Sequence, residues 1–225
     1  MNTNQSRKSR ASRQILLAAT LALAGALVAG CRTTVYQPGD QAAGTARAAA
    51  VHVQKQSQML ESTMAALNNL VSNPAADLKP QFQSFSSALD RLVEAANQGG
   101  TTGGHLVRDN ATFFNAWDQQ LTTITNTDVR SSSQARRTEV NNQFTTVHNQ
   151  YAQAQGALWS HLDYLREIRK ALVTDLTAGG LESVKPLVST ATSNAGNVQT
   201  ALAQARSDLL ALSTAMSSAG GPTGK

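Results

Sequence analysis

Few side chains in this sequence could carry chemistry, and most of them stand far apart. There is one cysteine, Cys31, so no internal disulfide can form. The four histidines, His52, His105, His148 and His161, have no partners at metal-ligand spacing, and no metal or cofactor is expected. His161 and Asp163 are two residues apart, which on a helix places them on different faces, so they form no dyad. The HExxH, Cys-x-x-Cys, P-loop and Gly-x-Ser-x-Gly patterns are absent, and no enzymatic activity is expected. The densest cluster is basic and aromatic: Trp159, Tyr164, Arg166, Arg169 and Lys170. It could contact an acidic lipid headgroup or a polyanion. Against that stands a solvated helix face, with Asp163–Arg166 and Glu167–Lys170 paired at i,i+3. Trp117 and Trp159 could likewise be exposed anchors or residues filling wide layers of a helical seam.

The cysteine has a context of its own. Arg7, Lys8, Arg10 and Arg13 form a positive start, and residues 15–28 are an apolar run of 14 residues rich in Leu and Ala. That run is shorter than the roughly 20 residues of a permanent membrane-spanning helix. Val28-Ala29-Gly30-Cys31 follows and resembles the bacterial lipobox, in which the cysteine is lipidated and becomes the new N-terminus. Residues 1–30 are therefore expected to be a lipoprotein signal peptide, and Cys31 the acylated, palmitate-bearing membrane anchor. An uncleaved anchor with a chance cysteine is the bland alternative. Arg32, rather than Asp, follows the cysteine, which by the same resemblance directs the chain to the periplasmic face of the outer membrane. Cleavage would remove four cations and leave 15 of the 19 basic residues against 14 acidic ones. The high isoelectric point is thus largely a property of the leader, and no nucleic acid is expected as a partner.

The remaining elements must be helices. Charged residues make up 15% and aromatics 4% of the chain, a composition suited to thin helix-on-helix packing by Leu, Val and Ala. Residues 31–40, with Pro38-Gly39-Asp40, read as a lipid-anchored tether, and 41–218 as an elongated α-helical coiled-coil domain. A first helix from about 41 to 72 carries Leu60, Met64, Leu67 and Val71, and Asn73-Pro74 is expected to cap and open the second. The second carries Phe82, Phe85, Leu89 and Leu92. Four glycines within residues 99–104 predict a flexible break before a further helix over 105–126. A long helix from about 129 to 177 follows, with Asp128 as its cap. Ala178-Gly179-Gly180 reads as a stop, with Pro186 placing the regular start of the last helix near Ser183. Leu181, Val184, Val188, Ala191, Ala195, Val198, Leu202, Ala205, Leu209, Leu212 and Met216 alternate 3-4 without a miss, a coiled-coil signature. Residues 219–225 read as a disordered tail. The fold class is all-α: an elongated antiparallel bundle or coiled coil of long helices.

This layout resembles an uncharacterised family of bacterial lipoproteins, domain of unknown function 2959. The likeness rests on the lipobox, Asp77-Leu78, Phe113-Phe114-Asn115-Ala116-Trp117, Val129-Arg130-Ser131-Ser132, and Tyr151 with the Leu158 to Leu172 stretch. It implies a highly charged coiled coil that is continuous where this chain has glycines, and it implies no activity. The expected role is a lipid-anchored scaffold or protein-binding module of the cell envelope. The alternative is a carrier or sensor that binds a small amphiphile or lipid between its helices, around Ala191, Ala195 and Gly196. The 181–216 seam could also serve a protein partner or self-association.

Overall fold

The computed structural model describes residues 36–218, so Cys31, the leader and the 219–225 tail lie outside the described residues. Among the described residues there are four α-helices and no strand: α1 Tyr36–Ser72, α2 Lys79–Leu121, α3 Thr127–Thr174 and α4 Ala178–Met216. Each packs on two neighbours, α1 on α2 and α4, and α3 on α4 and α2. Contacts between α1 and α2 run from Thr45–Asp109 to Gln56–Ala95, and those between α1 and α4 from Asp40–Ser218 to Asn68–Thr192. Neighbours are therefore antiparallel, and the fold is an up-down-up-down four-helix bundle. The 48 residues of α3 make it about 70 Å long at 1.5 Å per residue.

The 3-4 seam of α4 is buried throughout, from Leu181 to Met216, against α1 and α3 of the same chain. Opposite it, α1 offers Ala42, Ala46, Ala49 and Ala50 before its larger Leu60 and Leu67. Alanine in facing layers lets backbones approach closely, which is how a core so poor in aromatic rings is filled.

The glycine-rich run does not break the second helix; α2 continues through residues 99–104. Gly99 and Gly103 are four apart and share the inward face. A Cβ on Gly99 would lie 2.3 Å from Gln56 Nε2 and 2.5 Å from Gln155 Oε1, and one on Gly103 would lie 3.2 Å from the Tyr151 ring. The vacated space holds a buried polar layer. Gln56 Nε2 donates to Gln155 Oε1 at 2.9 Å, and Gln155 Nε2 donates back to Gln56 Oε1 at 2.8 Å. Gln56 also donates to the Ala95 carbonyl at 3.2 Å, and the Tyr151 hydroxyl donates to the Gly99 carbonyl at 2.6 Å. Packing and these bonds offset the helical penalty of glycine, about 1 kcal/mol per residue.

Helix ends differ from the sequence reading by local chemistry. Tyr36, the first described residue, is already helical, so α1 covers residues 36–40 of the segment read as a tether. Asp40 accepts bonds from the Ser218 amide and hydroxyl, both at 2.7 Å. Asn73 and Pro74 stay in the connection, and α2 opens at Lys79 with Pro80 in its first turn. Gln81 folds back over that connection, accepting from the Ala75 amide and donating to the Asn73 carbonyl, each at 2.9 Å. Asn126, not Asp128, caps α3; its Oδ1 accepts from the amides of Asp128 and Val129 at 3.0 Å. Thr177 caps α4, so the glycines after it form the first turn instead of a stop, and the helix runs through Pro186. Proline leaves the Glu182 carbonyl without its helical donor, and both residues are exposed, where water serves it.

Paired substitutions separate the two kinds of glycine. Gly99→Ala must dislodge the buried amide pair, for a net loss of about 1–3 kcal/mol. A Cβ on Gly100 meets nothing within 4 Å. Gly100→Ala should therefore stabilise the helix by about 0.5–1 kcal/mol. Urea unfolding of both variants checks this, and equal stabilisation at the two positions would refute the polar-layer account.

Candidate functional site

Helix α3 gathers the basic-aromatic cluster, and each of its cations already has a carboxylate. Arg166 binds Asp163 at 2.7 Å with its guanidinium 5.6 Å from the Trp159 ring centroid. Lys170 binds Glu167 at 2.5 Å, and Arg169 reaches across to Asp90 of α2 at 2.6 Å. Trp159 and Tyr164 are half-buried against the core. The cluster therefore presents little free positive charge to a polyanion. Exposed pairs of this kind contribute about 0–1 kcal/mol each. Trp117 is likewise half-buried, its ring 5.3 Å from that of Phe113 and its indole N–H donating to Ser133 at 3.0 Å.

A second polar group sits between α1 and α2. Thr45 donates to Asp109 at 2.7 Å, Arg108 Nε donates to Asp109 at 3.0 Å, and Arg108 contacts His105 Nδ1 at 3.0 Å. Burial pushes the Asp109 carboxyl up, but bonds from Thr45, Arg108 and Gln41 and the Arg108 charge outweigh it and leave the group below its ordinary value. A groove of about 400 Å³ nearby is lined by residues that include His52 and His105. Asp109 is thus fully engaged, and ties the two helices together.

The third feature is open-ended. Tyr164 lines a groove of about 290 Å³ between α3 and α4, with Ala157, Ser160 and His161 on one wall and Asn194, Asn197 and Val198 on the other. Ala191 and Ala195 belong to the buried seam of α4 and do not line this groove, and Gly196 faces open space. His161 is 3% exposed, and neither ring nitrogen has a hydrogen-bond partner. Burial lowers its pKa below the ordinary 6.5, so the imidazole is neutral and offers one donor and one acceptor. Sequence reasoning set His161 aside because it lacked a partner on its own helix. The available signal was its place three residues after Leu158 and one before Leu162, on the flank of the apolar seam.

Among the described residues no three His, Cys, Asp or Glu side chains converge to hold a metal, and no helix is long and apolar enough to cross a membrane. The chain belongs to the family described as Protein of unknown function (DUF2959), whose model matches residues 42–211, from the start of the alanine-rich part of α1 to near the end of α4. No curated protein and no solved structure matches the chain.

The state of His161 yields a pH prediction. Above pH 6.5 the imidazole is neutral in both folded and unfolded chains, and stability is undiminished. As the pH falls below 6.5, the unfolded chain takes up a proton that the folded core resists, so stability declines until the lowered folded value is reached. In urea unfolding from about pH 7 to about pH 5, His161→Leu should flatten the slope of the parent chain. Parallel slopes would exclude His161 as the titrating group.

Proposed function

We propose that this family member is a lipid-anchored binding module of the bacterial cell envelope, a helical scaffold that holds partners at a membrane and performs no chemistry of its own. The observation that carries this reading is the lipobox-like Val28-Ala29-Gly30-Cys31, five positions before Tyr36, which is already in the first bundle helix. A signal peptide ending at Gly30 would leave Cys31 as the acylated N-terminus, and Arg32 after it favours the periplasmic face of the outer membrane. Each buried CH₂ of an acyl chain adds about 0.8 kcal/mol, so several chains on one cysteine form a lasting anchor.

The short distance along the chain has a geometric consequence. Five residue steps from Cys31 to Tyr36 reach at most about 17 Å. The bundle end formed by the start of α1 and the close of α4 would then sit near the membrane. The turns at 73–78 and 175–177 would face away from it. That outward end carries a groove of about 520 Å³ whose lining includes Leu78, Leu176 and Leu181, and the exposed Val173 and Leu187 lie on the same half of the bundle. Because the 181–216 seam packs inside the chain, partners are proposed to meet these outer surfaces; self-association through the seam would require α4 to leave α1 and α3.

Acyl labelling with mass analysis of the N-terminal peptide tests the anchor. The parent chain is expected to carry lipid on Cys31 and to pellet with membranes, whereas Cys31→Ala is expected to lose both while melting at the parent temperature. A Cys31→Ala chain that stays membrane-bound would overturn the anchor. A turnover that persists through purification and is abolished by one polar substitution would overturn the scaffold.

A further inference from the structure

We infer that the tip of the α2–α3 hairpin, residues 118–132, is a lipid-contact surface that seats Ile124, Val129 and Arg130 in the phospholipid headgroup layer of the membrane holding the anchor. The inference rests on the anchored-module reading and deepens it, by naming the surface that the bundle itself lays on the bilayer.

The four helices do not reach one common level at the end of the bundle nearest Tyr36. A Cβ on Gly39 of α1 would lie 3.1 Å from the Phe113 ring of α2, and Thr45 meets Asp109, so antiparallel pairing sets Tyr36 level with about Trp117. Trp117 in turn reaches Ser133 of α3, and Arg136 of α3 donates to the Ala215 carbonyl in the last turn of α4 at 3.4 Å. Among the described residues only the hairpin continues past that level, through the last turn of α2, the 122–126 connection and the first six residues of α3. Those six residues carry the tip about 9 Å beyond Tyr36 and Met216 at 1.5 Å per residue.

Chain length then brings the tip to the bilayer. With the helices along the membrane normal, the steps from Cys31 let Tyr36 stand at most about 17 Å away, so the tip is held within about 8 Å of the level of the cysteine. A headgroup layer is about 5–8 Å thick on each side of the hydrocarbon. The composition of the tip suits that layer. Val129 is 56% exposed, Ile124 is half-buried, and the four threonines of residues 122–127 are exposed around them. Between Gln119 and Ala135 the only charged side chains are Asp128 and Arg130, and the exposed Arg130 has no ion pair among the described residues. Its guanidinium is free to donate to a lipid phosphate, while the two aliphatic side chains turn toward the acyl boundary. The exposed Tyr36 and half-buried Trp117 stand at the outer rim of the same end, and amphipathic rings favour a membrane–water interface. Because the acyl anchor already holds the chain at the surface, a tip of modest intrinsic affinity engages at high effective concentration.

The test uses the full-length acylated chain in vesicles of phosphatidylethanolamine and phosphatidylglycerol that contain a phosphatidylcholine with a nitroxide on its headgroup. One further cysteine is added at an exposed position and labelled with bimane: Thr125→Cys at the tip, Ala152→Cys midway along α3, or Ala76→Cys at the far end. The tip label is expected to be quenched and to emit further to the blue, and the other two to do neither. Val129→Asp, at an exposed site, should lessen the tip quenching by about twofold or more. A chain that carries lipid on Cys31 and pellets with the vesicles, yet shows no tip quenching, would overturn the contact and leave the anchor standing. So would equal quenching of the midway label, or tip quenching unmoved by Val129→Asp. A chain with no lipid on Cys31 would instead overturn the anchor, and the contact with it.

Discussion

The reciprocal amide pair between Gln56 and Gln155 is the constraint around which the bundle is arranged. These residues sit on α1 and α3, which occupy opposite corners and share no direct backbone approach. Their side chains meet across the centre, and the pair closes only when the two helices stand at one axial register. Gln56 reaches the Ala95 carbonyl as well, which sets α2 against both. A slip of one turn in any of the three would leave buried amides unpaired, at about 1–3 kcal/mol for each group. Apolar seams alone tolerate such slips, because one Leu layer resembles the next. A buried polar layer does not, and this is the best-attested use of such groups in helical bundles.

The same layer accounts for the glycines. Two amides crossing the core need space on the helix between them, and only a residue without a Cβ gives it. Gly99 supplies that space and its carbonyl receives the Tyr151 hydroxyl; Gly103 leaves room for the Tyr151 ring. Desolvation pushes the Tyr151 phenol up to about 12, which keeps it a donor throughout the ordinary pH range. His161 of α3 has no such arrangement: its two ring nitrogens are buried and have no hydrogen-bond partner.

Charge plays a lesser part. The cations of α3 that looked most like a recognition patch are matched one to one with Asp163, Glu167 and Asp90, two of them within the helix and one across to α2. Asp109 and Asp40 act as ties between helices, the first with Thr45 and the second with Ser218. Such contacts trim the helix faces and ends without generating a field that would draw a charged partner.

The sequence by itself determined the helical class, the 3-4 seams and their depth. Leu60 and Leu67 of α1, Leu158, Leu162 and Leu165 of α3 and every seam position of α4 are in the core as their spacing required, because a face repeated every three to four residues can be buried in only one way. The family was legible in the ordered landmarks around those seams. The caps were less so: Asn126 stands two residues before Asp128, and short polar residues at neighbouring positions compete on equal terms for the same amides. Tertiary structure alone decided the meaning of residues 99–104 and of His161. Local propensity treats every glycine as a break and every lone histidine as incidental. Whether a missing Cβ admits an amide pair depends on Gln56 and Gln155 of two other helices, 99 positions apart in the chain, and whether a buried ring nitrogen finds a partner depends on the helices packed over it; only the packed bundle brings these together.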